Sequence, residues 1–527
     1  MANESERAAW SAWSHSIQDF WTRHQDRFQD NGGEVLVEAQ VTMPHYLFGN
    51  FQLGNYLRIY QGLRPVAWVR RQETFAVAIA RAFGAHDSVN ATPEMAANAK
   101  ARAKTMFDNL PPAGHALREA VEAIQVDGVP MGDLIYDDVL RNHERATLER
   151  KDEALFQAIH SALTHQILAN QVLDQRPIRA LVVGHIVYTH FGVMVRVALS
   201  RNIPVYSRKP ATRRFIVRRF DTVGQTVSHE CFFTPDELDH LSPESRAHVA
   251  GVGRKVINDR FEGVVDRSDL KGAFSAFDAS RQKVDRTTLM TRLRLDPARP
   301  TIAVMSHAFP DSPHIGSWDL YTDYFVWLKE TLRLLSDMPH LNVLVKGHPD
   351  SSHYGMKPLE AALVHALGAP HVKRLPPDIN TASLETACDA LVTVRGSVGL
   401  EFGLRGMPVI LAGEAPYSGW GFTHEPRSVK DYADLLGRVG ALPAPDSEAR
   451  QRAALFAGLY YDFSRVPCIF LTDAPGAPWL FPKDWVDHLN ASREALRKHD
   501  LDEDPAFRNF GLMLRDGHRH LMDHENA

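Results

Sequence analysis

The loop from residue 306 to 314 gathers side chains of the kind that move protons. It reads SHAFPDSPH, so His307, Asp311 and His314 follow one another in a proline-stiffened stretch. Histidine and carboxylate groups serve as general acids and bases, and the same residue types ligate metals. No strict metal-ligand spacing is present, so we predict acid–base or hydroxyl-recognition chemistry and no metal site. A rigid linker with incidental histidines is the structural alternative.

A second motif, KGHP at 346–349, follows the apolar run NVLV. Lys346 and His348 can meet a phosphate or a sugar carboxylate, because both side chains carry or accept a proton near neutral pH. Gly347 between them lets the backbone approach a ligand closely. A polar loop ended by proline is the alternative reading of this motif.

The stretch VTVRGSVGLEFGLRGMPVI at 392–410 predicts a strand, a glycine turn and a helix. Free N–H groups at a helix start attract anions, so Gly396 and Ser397 are predicted to hold phosphate. Arg395 would add a bidentate fork. Glu401, one turn further on, is predicted to accept hydrogen bonds from ribose hydroxyls.

Other candidates follow predicted strands. Tyr417 lies in a loop, 413–422, whose glycines and aromatic rings suit the covering of a base or sugar. The N-terminal half supplies two candidate acids or bases and three candidate acceptor or cleft residues. The acids or bases are Glu38 and His45, and the acceptor or cleft residues are His185, Tyr188 and Arg196. His314 of the C-terminal half is a further candidate acceptor or cleft residue.

Strands that alternate with helices must position these residues. Buried-strand patterns such as VLVEA, RALVV, TIAVM and NVLVK are each followed by a helical pattern, which predicts parallel sheets built from βαβ units. We therefore predict an α/β protein with two doubly wound, Rossmann-type domains that face a cleft. A long helix is expected at 319–336, and the polar segment 235–285 is expected to be peripheral or interdomain. The predicted divisions are an N-terminal helix at 1–30, an α/β acceptor domain at 31–285 with a helical insert at about 92–170, an α/β donor domain at 286–475 and a helical tail at 476–527.

Composition excludes several classes of protein. The 527 residues are 44% hydrophobic and 23% charged with a net charge of −5, so a nucleic-acid partner is not expected. Three cysteines are too few for a disulfide framework, which fits a reducing cytoplasm. The N-terminus lacks the pattern of a signal peptide, and no apolar run approaches the roughly 18 residues of a membrane span. Peripheral membrane association stays open.

Together these motifs resemble the capsule polysaccharide biosynthesis family of GT-B glycosyltransferases. KGHP, the segment PPDINTASLETACDALVTVRGSVGLEFGLRGMPVIL at 376–411 and the 413–422 loop carry the resemblance, which spans about residues 285–440. The family includes transferases of 3-deoxy-manno-octulosonic acid (Kdo) that use CMP-Kdo. Arg395 departs from the family, whose members often have Asn or Ser there.

The resemblance implies how the parts would work. The C-terminal domain would bind a nucleotide sugar through the residues named above, and the N-terminal domain would bind a glycan or lipid-linked glycan acceptor. No cofactor is expected besides the nucleotide-sugar co-substrate, since helix termini and basic groups can stabilise the leaving phosphate. The candidate bases are Asp311 and His307 on the donor side and Glu38 and His45 on the other.

Two further functions remain compatible with the sequence. One is a different enzyme on the same fold, such as a nucleotide-sugar 2-epimerase or a CDP-alcohol phosphotransferase. The other is a non-catalytic member of an envelope-glycan complex. Turnover of a UDP-sugar without any acceptor would indicate the epimerase, and a failure to bind any nucleotide would indicate the non-catalytic protein.

Overall fold

Runs of Val, Ile, Leu and Ala form the strands of two separate sheets, as the sequence predicts. The computed structural model describes residues 4–70, 74–209, 214–228, 232–238, 241–264, 277–352, 354–471 and 485–523. The strands are β1 Gly33–Ala39, β2 Leu63–Val69, β3 Asp87–Val89, β4 Gln125–Val126, β5 Val129–Pro130, β6 Ile178–Val183, β7 Val205–Arg208, β8 Arg214–Phe215, β9 Val217–Phe220, β10 Thr301–Met305, β11 Asn342–Lys346, β12 Val372–Arg374, β13 Ala390–Thr393, β14 Val409–Leu411 and β15 Val466–Pro467.

Helices cover both faces of the two sheets. They are α1 Glu4–Arg23, α2 Pro44–Gln61, α3 Thr74–Ala82, α4 Pro93–Asp108, α5 Gly114–Glu122, α6 Gly132–Asn142, α7 Glu153–Gln175, α8 Val193–Ser200, α9 Pro243–Glu262, α10 Arg286–Leu293, α11 Tyr324–Ser336, α12 Lys357–Leu367, α13 Leu384–Ala387, α14 Val398–Leu404, α15 Val429–Gly437, α16 Ser447–Gly458, α17 Trp485–Lys498 and α18 Pro505–Asp516.

The N-terminal sheet has six strands in the order β3-β2-β1-β6-β7-β9. Neighbours pair in parallel except at β7 and β9, which are antiparallel. Every residue of β1 is buried, which explains its nearly continuous apolar sequence. One face packs on α1, α2 and α3, and the other face packs on the insert that α4 to α7 form.

The C-terminal sheet has five strands in the order β12-β11-β10-β13-β14, and all of its pairs are parallel. The chain order reverses direction at β10, so the loops after β10 and β13 diverge to opposite faces. Ligands of open α/β sheets bind at such a point, outside the carboxyl ends of the strands. The predicted fold, two doubly wound α/β domains of the GT-B type, is confirmed.

The chain returns to the N-terminal domain after the second sheet. Strand β15 pairs with β8, and α17 and α18 pack onto the core that α1 and α2 share. The tail therefore completes the first domain. The predicted boundary between donor domain and tail, at residues 475 and 476, lies outside the described residues.

Two predicted segments differ from the structure. Residues 319–323 precede α11 as a loop, because Asp323 accepts a hydrogen bond from Val326 N and so caps the helix at Tyr324. The segment 235–285 contains α9, whose Val249 and Ile257 are buried against the C-terminal domain. It therefore belongs to a packed core where it is described, while residues 239–240 and 265–276 lie outside the described part.

Among the helices that the structure describes, none is both long enough and apolar enough to cross a membrane.

We expect Trp13→Ala to destabilise the N-terminal domain by about 3–5 kcal/mol. The Trp13 ring is fully buried, stacks on Phe48 at 4.4 Å and donates from Nε1 to Ser492 Oγ at 3.1 Å. Urea denaturation measures the loss. Trp10→Ala, in which the ring is only partly buried, should cost less. Equal losses in both variants would contradict the docking of α1 as part of the core.

Candidate functional site

Four strand ends of the C-terminal sheet meet at one edge. Strand β10 leads to His307, β11 ends at Lys346, β13 leads to the Gly396-Ser397 turn and β14 leads to Glu414. Because all five strands are parallel, their carboxyl ends lie on the same side of the domain. The motifs that the sequence singles out are therefore neighbours in space.

His307 joins two of these strand ends and does not face a ligand. Its Nε2 lies 3.0 Å from Thr393 Oγ1 and accepts a hydrogen bond from Arg395 N at 3.4 Å. The ring stacks on Tyr324 at 4.3 Å. Burial, followed by the nearby charges of His348 and Arg395, holds the pKa of His307 well below its usual value. The structure therefore places His307, predicted as a catalytic base, in a buried position where its Nε2 is already bonded.

Arg395 is paired within the protein. Its Nη2 donates to both carboxylate oxygens of Asp319 at 2.5 Å, and the Arg395 side chain is only 9% exposed. An added Cβ at Gly316 would lie 2.9 Å from Nη1, so the loop before Asp319 closes tightly over the guanidinium. Asp319 therefore holds one arm of the predicted phosphate fork, while Nε and Nη1 of Arg395 are buried without a hydrogen-bond partner among the described residues.

Glu401 is also committed to an internal partner. Its Oε1 lies 2.8 Å from Arg260 Nη2, and both side chains are almost fully buried. Tyr461 Oη donates to the same carboxylate oxygen at 3.4 Å. The predicted ribose contact is corrected, because the side chain points into the packing between α14, α9 and α16.

The Tyr417 side chain supports the Gly396-Ser397 turn. Its hydroxyl donates to Gly396 O at 2.6 Å, and the ring is buried against Phe422. An added Cβ at Gly399 would lie 2.1 Å from Tyr417 Oη, so only glycine permits this approach. The expectation that Tyr417 covers a base or sugar is corrected to a supporting role for the turn.

Lys346, His348, Gly396 and Ser397 remain open at this edge, which we call the open edge. Ser397 is exposed, and the other three residues are partly exposed. Burial, the charge of Arg281 and an opposing effect of Glu360 bring the pKa of Lys346 to about 8. A cationic side chain beside a half-exposed histidine and an exposed glycine turn can bind an anion.

The loop after β10 also binds the helical insert of the other domain. His314 Nδ1 lies 2.5 Å from Asp137 Oδ1, and its Nε2 lies 3.8 Å from Glu122. Burial alone would lower the pKa of His314, but the two carboxylates raise it well above the usual value. His314, predicted as a cleft residue, thus forms a charged contact between the two domains and lines a cavity of about 720 Å³ there.

Asp323 strengthens the same junction. While one oxygen caps α11, Oδ2 accepts hydrogen bonds from Tyr136 Oη at 2.7 Å and from Thr147 Oγ1 at 2.5 Å. Asp311 lies nearby, 3.8 Å from Arg141, with 62% of its side chain exposed. Of the acids and bases predicted in the 306–314 loop, Asp311 is the one that stays accessible.

Three of the candidate site residues in the N-terminal domain are buried. Glu38 is fully buried, and His45 is buried with a pKa lowered to about 4 by burial and the charges of Arg208 and His488. Arg196 donates to Asp133 Oδ1 at 2.5 Å and is 2% exposed. The structure therefore places these three predicted site residues in the protein interior and not on an accessible surface.

His185 and Tyr188 lie where the domains meet. His185 is partly exposed after β6, and Tyr188 is largely buried at the start of a π-helical turn, where its φ is 62°. Tyr188 hydrogen-bonds with Ser312 of the other domain. A second cavity of about 330 Å³ adjoins this turn and is lined by Gln40 and His190 among others.

Sequence reasoning missed the partners of the charged residues. Asp319 and Arg260 carry no motif, and their pairing with Arg395 and Glu401 depends on contacts between distant segments. Asp137 gave a detectable signal, since an acidic pair within the apolar run LIYDDVL is unusual for a helix that packs on both sides.

A family model described as "Capsule polysaccharide biosynthesis protein" matches residues 329–433. Residues 329–433 are thus similar to that family, and we call them the capsule-biosynthesis segment. The capsule-biosynthesis segment contains all four residues of the open edge. No curated protein matches the sequence.

Several solved structures resemble the chain at low identity. The Thermosulfurimonas dismutans KpsC β Kdo 2,4 transferase is 18% identical, with 59% of this chain and 87% of that chain covered and a TM-score of 0.35. A glycosyltransferase from Rickettsia africae ESF-5 is 12% identical, with coverage of 89% and 100% and a TM-score of 0.26. The Neisseria meningitidis UDP-GlcNAc 2-epimerase is 9% identical, with coverage of 81% and 100% and a TM-score of 0.23.

We expect Glu401→Ala to destabilise the protein by about 3–5 kcal/mol, because it leaves Arg260 buried without its counter-charge. Denaturant unfolding measures the loss. Glu385→Ala is the matched control, since Glu385 pairs with Arg405 at 2.7 Å on the surface and should cost about 1 kcal/mol or less. If Glu401→Ala instead lost nucleotide binding while its stability was unchanged, the predicted contact between Glu401 and the ribose hydroxyls would be supported.

Proposed function

We propose that the protein is a glycosyltransferase of bacterial surface polysaccharide synthesis, for capsule or lipopolysaccharide. It transfers a sugar from a nucleotide-sugar donor to a glycan or lipid-linked glycan acceptor. The observation that carries the proposal is the open edge: its four residues lie together at the carboxyl ends of parallel strands and inside the capsule-biosynthesis segment. Kdo from CMP-Kdo is the donor that the family resemblance favours.

The open edge suits the phosphate of a nucleotide. Lys346 supplies a positive charge, and the exposed residue Ser397 lies at the start of α14, where backbone N–H groups lack partners within the helix. The Gly396 N–H already donates to Thr393 Oγ1 at 3.3 Å, so Gly396 contributes its close backbone approach and not a donor. In a partly desolvated cleft such donors stabilise the charge that develops on a leaving phosphate. The proposed reaction therefore uses protein groups in this role and needs no metal.

The acceptor enters from the N-terminal domain. The junction of α6 with the 306–323 loop holds the two sheet edges against each other, with Asp311 and His185 at their meeting point. We place the activity in the cytoplasm, with a lipid-linked acceptor reached at the inner face of the membrane.

We predict that CMP raises the melting temperature of the protein in a thermal-shift screen of CMP, UDP, GDP and CDP. A ligand at 100 times its Kd stabilises the native state by about 2.7 kcal/mol. Lys346→Ala and His348→Ala should abolish the shift. The controls Lys373→Ala and His340→Ala alter side chains of the same types elsewhere in the domain and should retain it. A shift that survives Lys346→Ala and His348→Ala would remove the nucleotide from the open edge.

We predict that nucleotide affinity falls as the pH rises above about 8. The pKa of Lys346 lies at about 8, so the side chain is charged below this pH and loses its attraction for phosphate above it. Isothermal titration calorimetry between pH 6.5 and 9.5 measures the change. Lys346→Arg keeps its charge throughout and should flatten the profile. A parallel fall of affinity in the arginine variant would assign the pH dependence to another group.

A further inference from the structure

A chain of hydrogen bonds joins three residues at the carboxyl edge of the N-terminal sheet. Tyr46 Oη donates to Glu38 Oε2 and lies 2.9 Å from His185 Nδ1. Glu38 also accepts from Gln40 N at 2.7 Å and from Gly184 N at 3.2 Å. These donors fix the carboxylate, which in turn fixes the tyrosine hydroxyl.

This arrangement selects one tautomer of His185. A phenol has a single proton, and Tyr46 gives it to Glu38, so Tyr46 Oη must accept a proton from His185. Nδ1 of His185 therefore carries the hydrogen, and Nε2 keeps a lone pair. In the part of the chain that the structure describes, that nitrogen has no hydrogen-bond partner. Histidine bases oriented through Nδ1 by a second group have this same arrangement.

The surroundings hold the His185 ring in place. It stacks on Tyr46 at 5.5 Å and on Phe191 at 4.9 Å. An added Cβ at Gly184 would lie 2.2 Å from Tyr46 Oη, so glycine is needed for the strand end to approach the hydroxyl. The imidazole is thus held by packing on its faces and by a hydrogen bond at one nitrogen.

The free nitrogen lies at the junction of the two domains. Tyr188, three residues after His185, hydrogen-bonds with Ser312, and Arg141 lies 3.8 Å from Asp311. Phe191 connects the His185 ring to the wall of the 330 Å³ cavity. It stacks on His185 at 4.9 Å and contacts His190, which lines the cavity, with ring centroids 4.0 Å apart.

We propose that His185 is the general base of the transfer reaction, with Tyr46 and Glu38 as positioning residues. The inference rests on the proposed function. The acceptor hydroxyl oxygen forms a bond to the anomeric carbon as the bond from that carbon to the nucleotide phosphate breaks. The electron pair of the broken bond leaves with the phosphate, and the hydroxyl proton passes to His185 Nε2.

Three of the four other candidates are less suited to this step, while Asp311 stays accessible 3.8 Å from Arg141. The rings of His307 and His45 are buried, and the carboxylate of Glu38 is enclosed by its own donors. Burial, followed by the charges of His190, Arg141 and Arg208, lowers the pKa of His185 to about 4. The imidazole is consequently neutral at pH 7 and able to accept a proton.

The first test measures the tautomer of the intact protein by ¹⁵N-histidine NMR, with the His185 signal assigned by its loss in His185→Gln. We expect a neutral ring with hydrogen on Nδ1 at pH 7, and a shift toward the Nε2-protonated form in Tyr46→Phe. A ring that is charged at pH 7, or that carries its hydrogen on Nε2 in the wild-type protein, would overturn the proposal.

The second test measures CMP release from CMP-Kdo, with water in place of the acceptor. His185→Gly should lower kcat by about 10²–10⁴-fold with little change in KM, and added imidazole should restore part of the rate. Tyr46→Phe should lower kcat by about tenfold. The controls His340→Gly and Tyr60→Phe should leave the rate unchanged and should not respond to imidazole.

The outcomes separate the two proposals. A wild-type protein that binds none of CMP, UDP, GDP and CDP and does not release CMP from CMP-Kdo contradicts the proposed function, and the tautomer measurement still decides the state of His185. Wild-type turnover that His185→Gly retains contradicts the base while the glycosyltransferase assignment stands.

Discussion

The need to pair every buried charge governs the edge where the two domains meet. Removing a charged group from water costs several kcal/mol, so charges in this region persist only beside a partner. Arg395 pairs with Asp319, Glu401 with Arg260, and His314 with Asp137. Other polar side chains keep solvent-accessible surface at this edge. They are Lys346, His348 and Ser397 on one side and His185 on the other.

Of these pairs, His314 with Asp137 connects the two domains, and Asp323 strengthens the connection. The carboxylate of Asp323 caps α11 and accepts two hydrogen bonds from the helical insert, so one side chain sets both a helix start and the position of the opposite domain. The tail then returns to the first domain through β15 and α18. The two sides of the cleft are therefore held in register by contacts that lie outside the proposed binding residues.

Strand patterns and the glycine turn predict the two sheets and the position of the open edge correctly, because strand burial and turns are local properties of sequence. The roles of Arg395 and Glu401 are not predictable in the same way. Each looks like a surface charge in its own segment, and its buried partner comes from a distant one. The contact of His307 with Thr393 is not predictable from the local sequence either, because it depends on the register of β10 against β13.

The central claim is that a nucleotide binds at the open edge of the C-terminal sheet. Hydrogen–deuterium exchange of the full chain with and without CMP tests it most directly. We predict that CMP slows amide exchange in two short segments, 346–349 and 394–400, and changes exchange little around 184–190. Protection confined to the N-terminal sheet edge, or no protection at 394–400 at saturating CMP, would contradict it.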